Sequence, residues 1–369
     1  MKTAALAALA LSLVQEQPVP EMKRLWTLSG ARSIIASSEV IIVYADTAVA
    51  RISPTKGEER WRTETAGIRE APTVGRRHVY VAGGTYIAAY SVASGKEEWR
   101  WEHTEINQSP LVLSSSLVVR RADFLHARSF DNKELWRTKV GGEPQRAPDG
   151  SIWAVSATEI WDLDASNGKI RWTAKPPPQD SFIAASGDSR GLIAATREGL
   201  AAFDASSGAA QWALRFGQTY GALSLDRERV YSSFTLGAKG GVIAVGRKDG
   251  QRAWEFEAAP RTRIVLHNGV LYWTAKGEVG AVVAATGAQQ WKVRALPAAE
   301  GDSEIKAHDN GLVVQYGTHA AFVGRDGSLQ GRNKLSLTSP QVSIVMMTGW
   351  AIVGMCDALD LPAPPPPKK

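Results

Sequence analysis

Residues Leu200 to Trp212 read LAAFDASSGAAQW, and this stretch sets the reading of the whole chain. A short apolar run enters Asp204-Ala205-Ser206-Ser207-Gly208, and an indole follows four residues after the glycine. Asp and Ser side chains bond turn amides and glycine accepts positive φ, so the segment reads as strand, tight turn, strand. The same spacing recurs at Gly57/Trp61, Gly95/Trp99, Gly168/Trp172, Gly208/Trp212, Gly250/Trp254 and Gly287/Trp291. Asn132/Trp136 keeps it with asparagine, a side chain that tolerates the left-handed region. An eighth unit keeps Gly327 but has Gly331 where tryptophan is expected. These turn positions are 36 to 42 residues apart.

Upstream of each turn lie further short apolar runs, such as VIIVYA at 40–45, HVYVAG at 78–83, LVLSSSLVVR at 111–120 and GLIAAT at 191–196. Another strand is expected to begin near residues 71–72, 109–110, 147–148, 181, 221, 262, 304 and 339. Each unit therefore divides into about four strands, and no stretch keeps a 3.6-residue period long enough for a crossover helix. A repeat of about 40 residues built from four antiparallel strands is a propeller blade. β-Helix coils are shorter than this period, and packed sandwiches do not require one glycine-to-tryptophan spacing throughout. Each indole is expected to lie across a blade junction with its ring nitrogen on a backbone carbonyl.

The chain ends complement one another. Residues 23–27, KRLWT, resemble an outer strand lacking its first three, whereas 342–346, 350–355 and 358–361 resemble three strands lacking a fourth. Pairing them closes the ring and removes two exposed edges. The fold class is all-β, a single propeller of four-stranded antiparallel blades closed by N-terminal and C-terminal strands. Eight internal marks and one composite blade make nine, but propellers usually have four to eight blades, so eight is expected, with seven or nine as alternatives.

The 369 residues carry 43 Lys plus Arg against 37 Asp plus Glu, a formal charge of +6. The signs alternate along the chain and form no basic arm, so nucleic acid is not an expected partner. Cys356 is the single cysteine, which excludes an intrachain disulfide. Residues 4–14, AALAALALSLV, follow Lys2 and read as the core of a secretory signal, too short to span a bilayer. The expected organisation is a signal segment and leader at 1–20, the propeller at 21–361 and a disordered Pro-rich tail at 362–369. A periplasmic or otherwise exported monomer follows, peripheral to the outer membrane, or a cytoplasmic one if the first segment is no signal.

Three stretches carry a family likeness: Ala202 to Gly208 with Trp212, Trp161 to Lys169 with Trp172, and Ala89 to Lys96 with Trp99. They resemble the PQQ-like β-propeller repeat family. One branch of that family comprises quinone-dependent dehydrogenases, and the resemblance to it implies adjacent cysteines and a calcium–quinone centre, which this chain cannot match residue by residue. The other comprises non-enzymatic envelope propellers, both BamB-like accessory proteins of outer-membrane assembly and extracytoplasmic sensor or interaction domains, and resemblance to it implies a non-enzymatic scaffold binding other envelope or membrane proteins. No cofactor, metal or catalytic residue is therefore assigned. A quinone-dependent oxidoreductase and a carbohydrate-binding or hydrolysing propeller are the alternatives.

Side chains where innermost strands begin gather at one mouth of a propeller, and here they include Arg69, Glu70, Asn107, Gln108, Arg146, Asp180, Arg261, Arg263 and Glu304. This mixed polar rim suits a protein segment, with arginine favoured for its directional pairing, although ordinary solvation also explains it. His78 and His267 are expected at blade turns. His308 and His319 would need a third donor, such as Asp309 or Glu304, to hold a metal.

Overall fold

The computed structural model describes residues 19–27, 33–36, 41–45, 47–103, 108–297, 303–336, 344–347, 350–353 and 357–361. The expected signal core, the Pro-rich tail, Asn107 and Cys356 lie outside the described residues. Thirty-six strands form nine four-stranded sheets, and no helix occurs among the described residues. Blades 1 to 8 are consecutive meanders, spanning residues 33–64, 73–102, 111–139, 143–174, 182–215, 218–258, 263–294 and 303–334. Blade 9 is composite: Ile344–Met347, Trp350–Val353 and Asp357–Asp360 are completed by Arg24–Thr27 as outer strand, with Trp26 opposite Ala358 and Thr27 opposite Asp357.

The expected count of eight is corrected to nine. Neither weak unit is incomplete: the unit lacking tryptophan forms four regular strands, and the N-terminal strand supplies what the C-terminal unit lacks. A second correction concerns blade 4, whose inner strand is Glu143–Arg146 and therefore ends before Ala147, where the sequence reading began it.

Packing occurs between blades. Val79, Val81 and Tyr90 of blade 2 bury against Ile42 and Val49 of blade 1, and equivalent clusters join 3 to 4, 4 to 5, 5 to 6, 6 to 7, 7 to 8 and 8 to 9. Second and third strands such as Gly191–Thr196 and Gly199–Phe203 are apolar on both faces because each face meets a neighbour. The outer strands alternate exposed and half-buried side chains.

Each repeat indole of blades 1 to 7 makes the expected bond across a junction. Trp61, Trp99, Trp136, Trp172, Trp212, Trp254 and Trp291 donate to Val92, Phe130, Ala165, Ala205, Arg247, Ala284 and Arg325 carbonyls, at 2.7–3.0 Å. Each acceptor lies in the outer turn of the following blade. The turn glycine of that blade rests on the same ring: a Cβ on Gly208 would stand 2.5 Å from Trp172 Cε3. The repeated residues are thus one inter-blade contact, seen from both sides.

Gly331 follows the same logic. The next blade, composite, has no covalent outer turn for an indole to cover. Residues 20–22 occupy the place instead: Pro20 O accepts from Arg332 N at 3.0 Å, and Met22 exchanges bonds with the Asn333 side chain at 2.9 and 3.0 Å. A Cβ on Gly331 would stand 2.5 Å from Met22 Cγ. Met22 is itself buried among Phe322, Leu335, Leu359 and Leu361.

Candidate functional site

Strand direction sorts the loops between two mouths of the ring. One mouth, here the entry mouth, carries the segments that enter inner strands and the hairpins between second and third strands. The opposite mouth carries the first hairpins and the Asp-Ser-Gly turns. Arg69, Glu70, Gln108, Asp180, Arg261, Arg263 and Glu304 fall at the entry mouth. Arg146 does not. It ends the inner strand of blade 4 at the opposite mouth, where its guanidinium donates to Val112 O at 2.7 Å.

Several rim residues have local structural partners. Arg69 lies over the next hairpin of its own blade, where a Cβ on Gly84 would come 2.8 Å from its Nε. Gln108 bonds Glu143, which also pairs with Arg120 at 3.2 Å, so blades 3 and 4 are tied together at this mouth. Asp180 Oδ1 accepts from Ser181 N at 2.8 Å, and Glu304 pairs with Lys306 at 3.1 Å. Arg261 holds a left-handed φ of 61°. The rim residues are spread around the ring and form no single constellation.

A feature that sequence reading missed is apolar. Among the described residues, five large apolar side chains are exposed, and Phe124, Ile183 and Leu236 all lie at the entry mouth. Leu236, 64% exposed, caps a hairpin whose two strands, Arg229–Leu236 and Lys239–Gly246, are eight residues long. Between that hairpin and blade 5 runs a groove of about 720 Å³ lined by Arg197, Glu198, Arg215, Phe216 and Gln218. The available signal was Leu236 immediately before Gly237, at a hairpin tip where a polar residue is the rule.

No group of three or more His, Cys, Asp or Glu is placed to hold a metal ion among the described residues. The sequence has no second cysteine to pair with Cys356. Among the described residues these side chains offer no such cluster to a calcium–quinone centre. His78 begins a second strand, buried, with Nε2 2.7 Å from Glu98, rather than occupying a turn; His267 ends an inner strand, 3.4 Å from Asp309.

The geometry defines a class: a closed, nine-bladed propeller whose repeats spend their tryptophans on blade junctions. A family model described as outer membrane protein assembly factor BamB matches residues 18–125, 45–156 and 156–329. The chain belongs to this family. No curated protein matches it. Among solved structures, it is similar to BamB from Moraxella catarrhalis, with TM-score 0.60 and 16% identity, covering 84% of this chain and 98% of that one. It is also similar to a quinohemoprotein alcohol dehydrogenase from Pseudomonas putida HK5, with TM-score 0.59 and 12% identity over 88% and 78% of the two chains. The computationally designed Ika8 protein gives TM-score 0.58 at 12% identity, covering 92% of this chain and all of that one. These likenesses concern the fold alone.

Proposed function

We propose that this chain is a non-enzymatic scaffold of the bacterial cell envelope that holds segments of other proteins at its entry mouth, in the service of outer-membrane protein assembly. Membership of the family supports the assembly role. The observation that carries the docking face is the exposure of Phe124, Ile183 and Leu236 at the same mouth, with Leu236 lining the arginine-bearing groove. Exposed apolar side chains rimmed by charge mark protein contact surfaces, and arginine is enriched among their anchors. No helix among the described residues is long and apolar enough to cross a membrane. Export rests on residues 1–20, and fractionation followed by intact-mass measurement reads it directly.

The test places a photo-crosslinking residue at Leu236 or Phe124, and at Lys248 on the opposite mouth as control. The expected result is adducts to the same identified envelope protein from the first two positions and none from the third, reproduced with purified partners. Equal labelling from both mouths, or adducts at neither entry-mouth position, would overturn the docking face.

A further inference from the structure

A cavity of about 450 Å³ opens at the opposite mouth, between blades 2 and 3. Two local departures from the repeat accompany it. In blades 4 and 5 the turn glycine bonds the carbonyl four residues back, Gly168 to Asp164 and Gly208 to Asp204, each at 2.8 Å. In blade 3, Asn132 bonds Ser129, three residues back, at 3.0 Å, a shortening that blade 8 shares through Gly327 and Gly324. That turn is one residue shorter, yet it keeps the Trp99 bond to Phe130 O at 2.7 Å.

The second departure lies across the junction. Tyr231 of blade 6 reaches the following blade, donating to Ala284 O at 3.1 Å. Tyr80 holds the same register in blade 2, opposite an alanine that itself faces the repeat tryptophan. Its hydroxyl instead meets His78 Nδ1 of its own strand at 3.2 Å, and His78 Nε2 meets Glu98 at 2.7 Å. Burial pushes the Tyr80 hydroxyl up to about 12, so it stays protonated and keeps this bond. Among the described residues the Tyr80 hydroxyl thus makes no bond like the one Tyr231 sends into the following blade, and the cavity opens beside it.

The lining is chemically divided. Val112, Leu113 and Phe130 give an apolar wall. Arg76 and Arg77 rise from the first hairpin of blade 2, and Asp131 from the shortened turn of blade 3, so opposite charges face the space from two blades. Glu98 is engaged by His78, whereas no ion pair engages Arg76, Arg77 or Asp131 among the described residues. The volume is that of a small-molecule site, and an apolar wall with a few convergent polar groups is how such sites are built.

We propose that this cavity binds a free α-amino acid with a bulky apolar side chain. Arg76 and Arg77 take its carboxylate, Asp131 takes its ammonium, and the side chain rests on Val112, Leu113 and Phe130. Guanidinium groups match carboxylate geometry, and the paired charges reject a ligand that carries only one of them.

Calorimetric titration of the full chain tests this with L-tryptophan, L-phenylalanine, glycine and N-acetyl-L-tryptophan amide. Tryptophan and phenylalanine should bind saturably, with glycine and the blocked amide about tenfold weaker or more. Arg76→Ala/Arg77→Ala and Asp131→Asn should each weaken tryptophan about tenfold, while Lys248→Ala leaves it unchanged. Val112→Trp, which fills the space from blade 3, should abolish binding with the near-UV spectrum and melting temperature retained. Absence of tryptophan binding at millimolar concentration, equal binding of the blocked amide, or binding indifferent to all three cavity variants would overturn the proposal.

Discussion

Each repeat indole fixes a junction twice, through its ring nitrogen and through the face on which the next turn rests. Glycine is required at that turn for two reasons, since Gly208 holds φ +69° and a Cβ there would enter the Trp172 ring. Gly208→Ala should therefore lower stability by more than about 1 kcal/mol, read by urea unfolding. Trp172 is nearly buried, 7% exposed, so Trp172→Ala should cost about 3–5 kcal/mol, and the more exposed Trp291 distinctly less. A charge pair fixes the junction of blades 5 and 6. Arg247, buried, donates to both carboxylate oxygens of Asp188 at 2.7 and 2.8 Å. The bonds from Arg247 hold the Asp188 carboxyl down at about 2, against an ordinary value of 3.8. A depressed carboxyl stabilises the fold above its unfolded value and loses that contribution as pH falls through the folded one. Stability should thus drop between about pH 4 and pH 2, and Asp188→Asn should flatten that part of the curve in acid titrations of the unfolding midpoint.

The N-terminal strap shows why an element can look deficient in sequence and be complete in space. The eighth unit has glycine at the indole position because Met22 enters from a segment more than 300 residues away and packs over Gly331. Met22→Ala should cost about 2–5 kcal/mol, as for other buried methionines. Restoring the repeat with Gly331→Trp should destabilise the chain, because the slot is already taken and no outer turn follows it. Deleting residues 1–22 should remove most of that penalty, so a double-variant cycle on unfolding free energies should give a coupling well outside additivity; additive losses would show that the strap does not own the slot. The strand pattern, the turns and the role of the tryptophans were legible because they depend on neighbours in sequence and recur. The strap was not, since a lone Met between Glu21 and Lys23 carries no periodic signal. The exposed mouth was legible only in part. Arg69 and Asp180 could be placed from loop position, but Arg146 could not, because Ala147-Pro148 marks the hairpin after its strand rather than the start of one.

At the scale of the whole ring, closure depends on four residues at each end finding one another. Propellers commonly have four to eight blades, yet the eight turn marks and the composite blade sum to the nine that form. That composite blade is the one place where no hairpin joins the outer strand to its neighbour, so the ring can be opened there without cutting a blade. Removing residues 357–369 should leave Arg24–Thr27 without its partner strand and bare the edge of Trp350–Val353. It also removes Leu359 and Leu361 from the core, at roughly 1.5–3 kcal/mol for each buried leucine. Unpaired edges recruit other chains, so the truncated protein should unfold at lower urea and associate with rising concentration in sedimentation experiments. Removing only residues 362–369 should change neither quantity, since the paired strand remains. A monomeric, equally stable 1–356 fragment would mean that the ring holds through blade faces alone, and that the pairing of its two ends contributes nothing to closure.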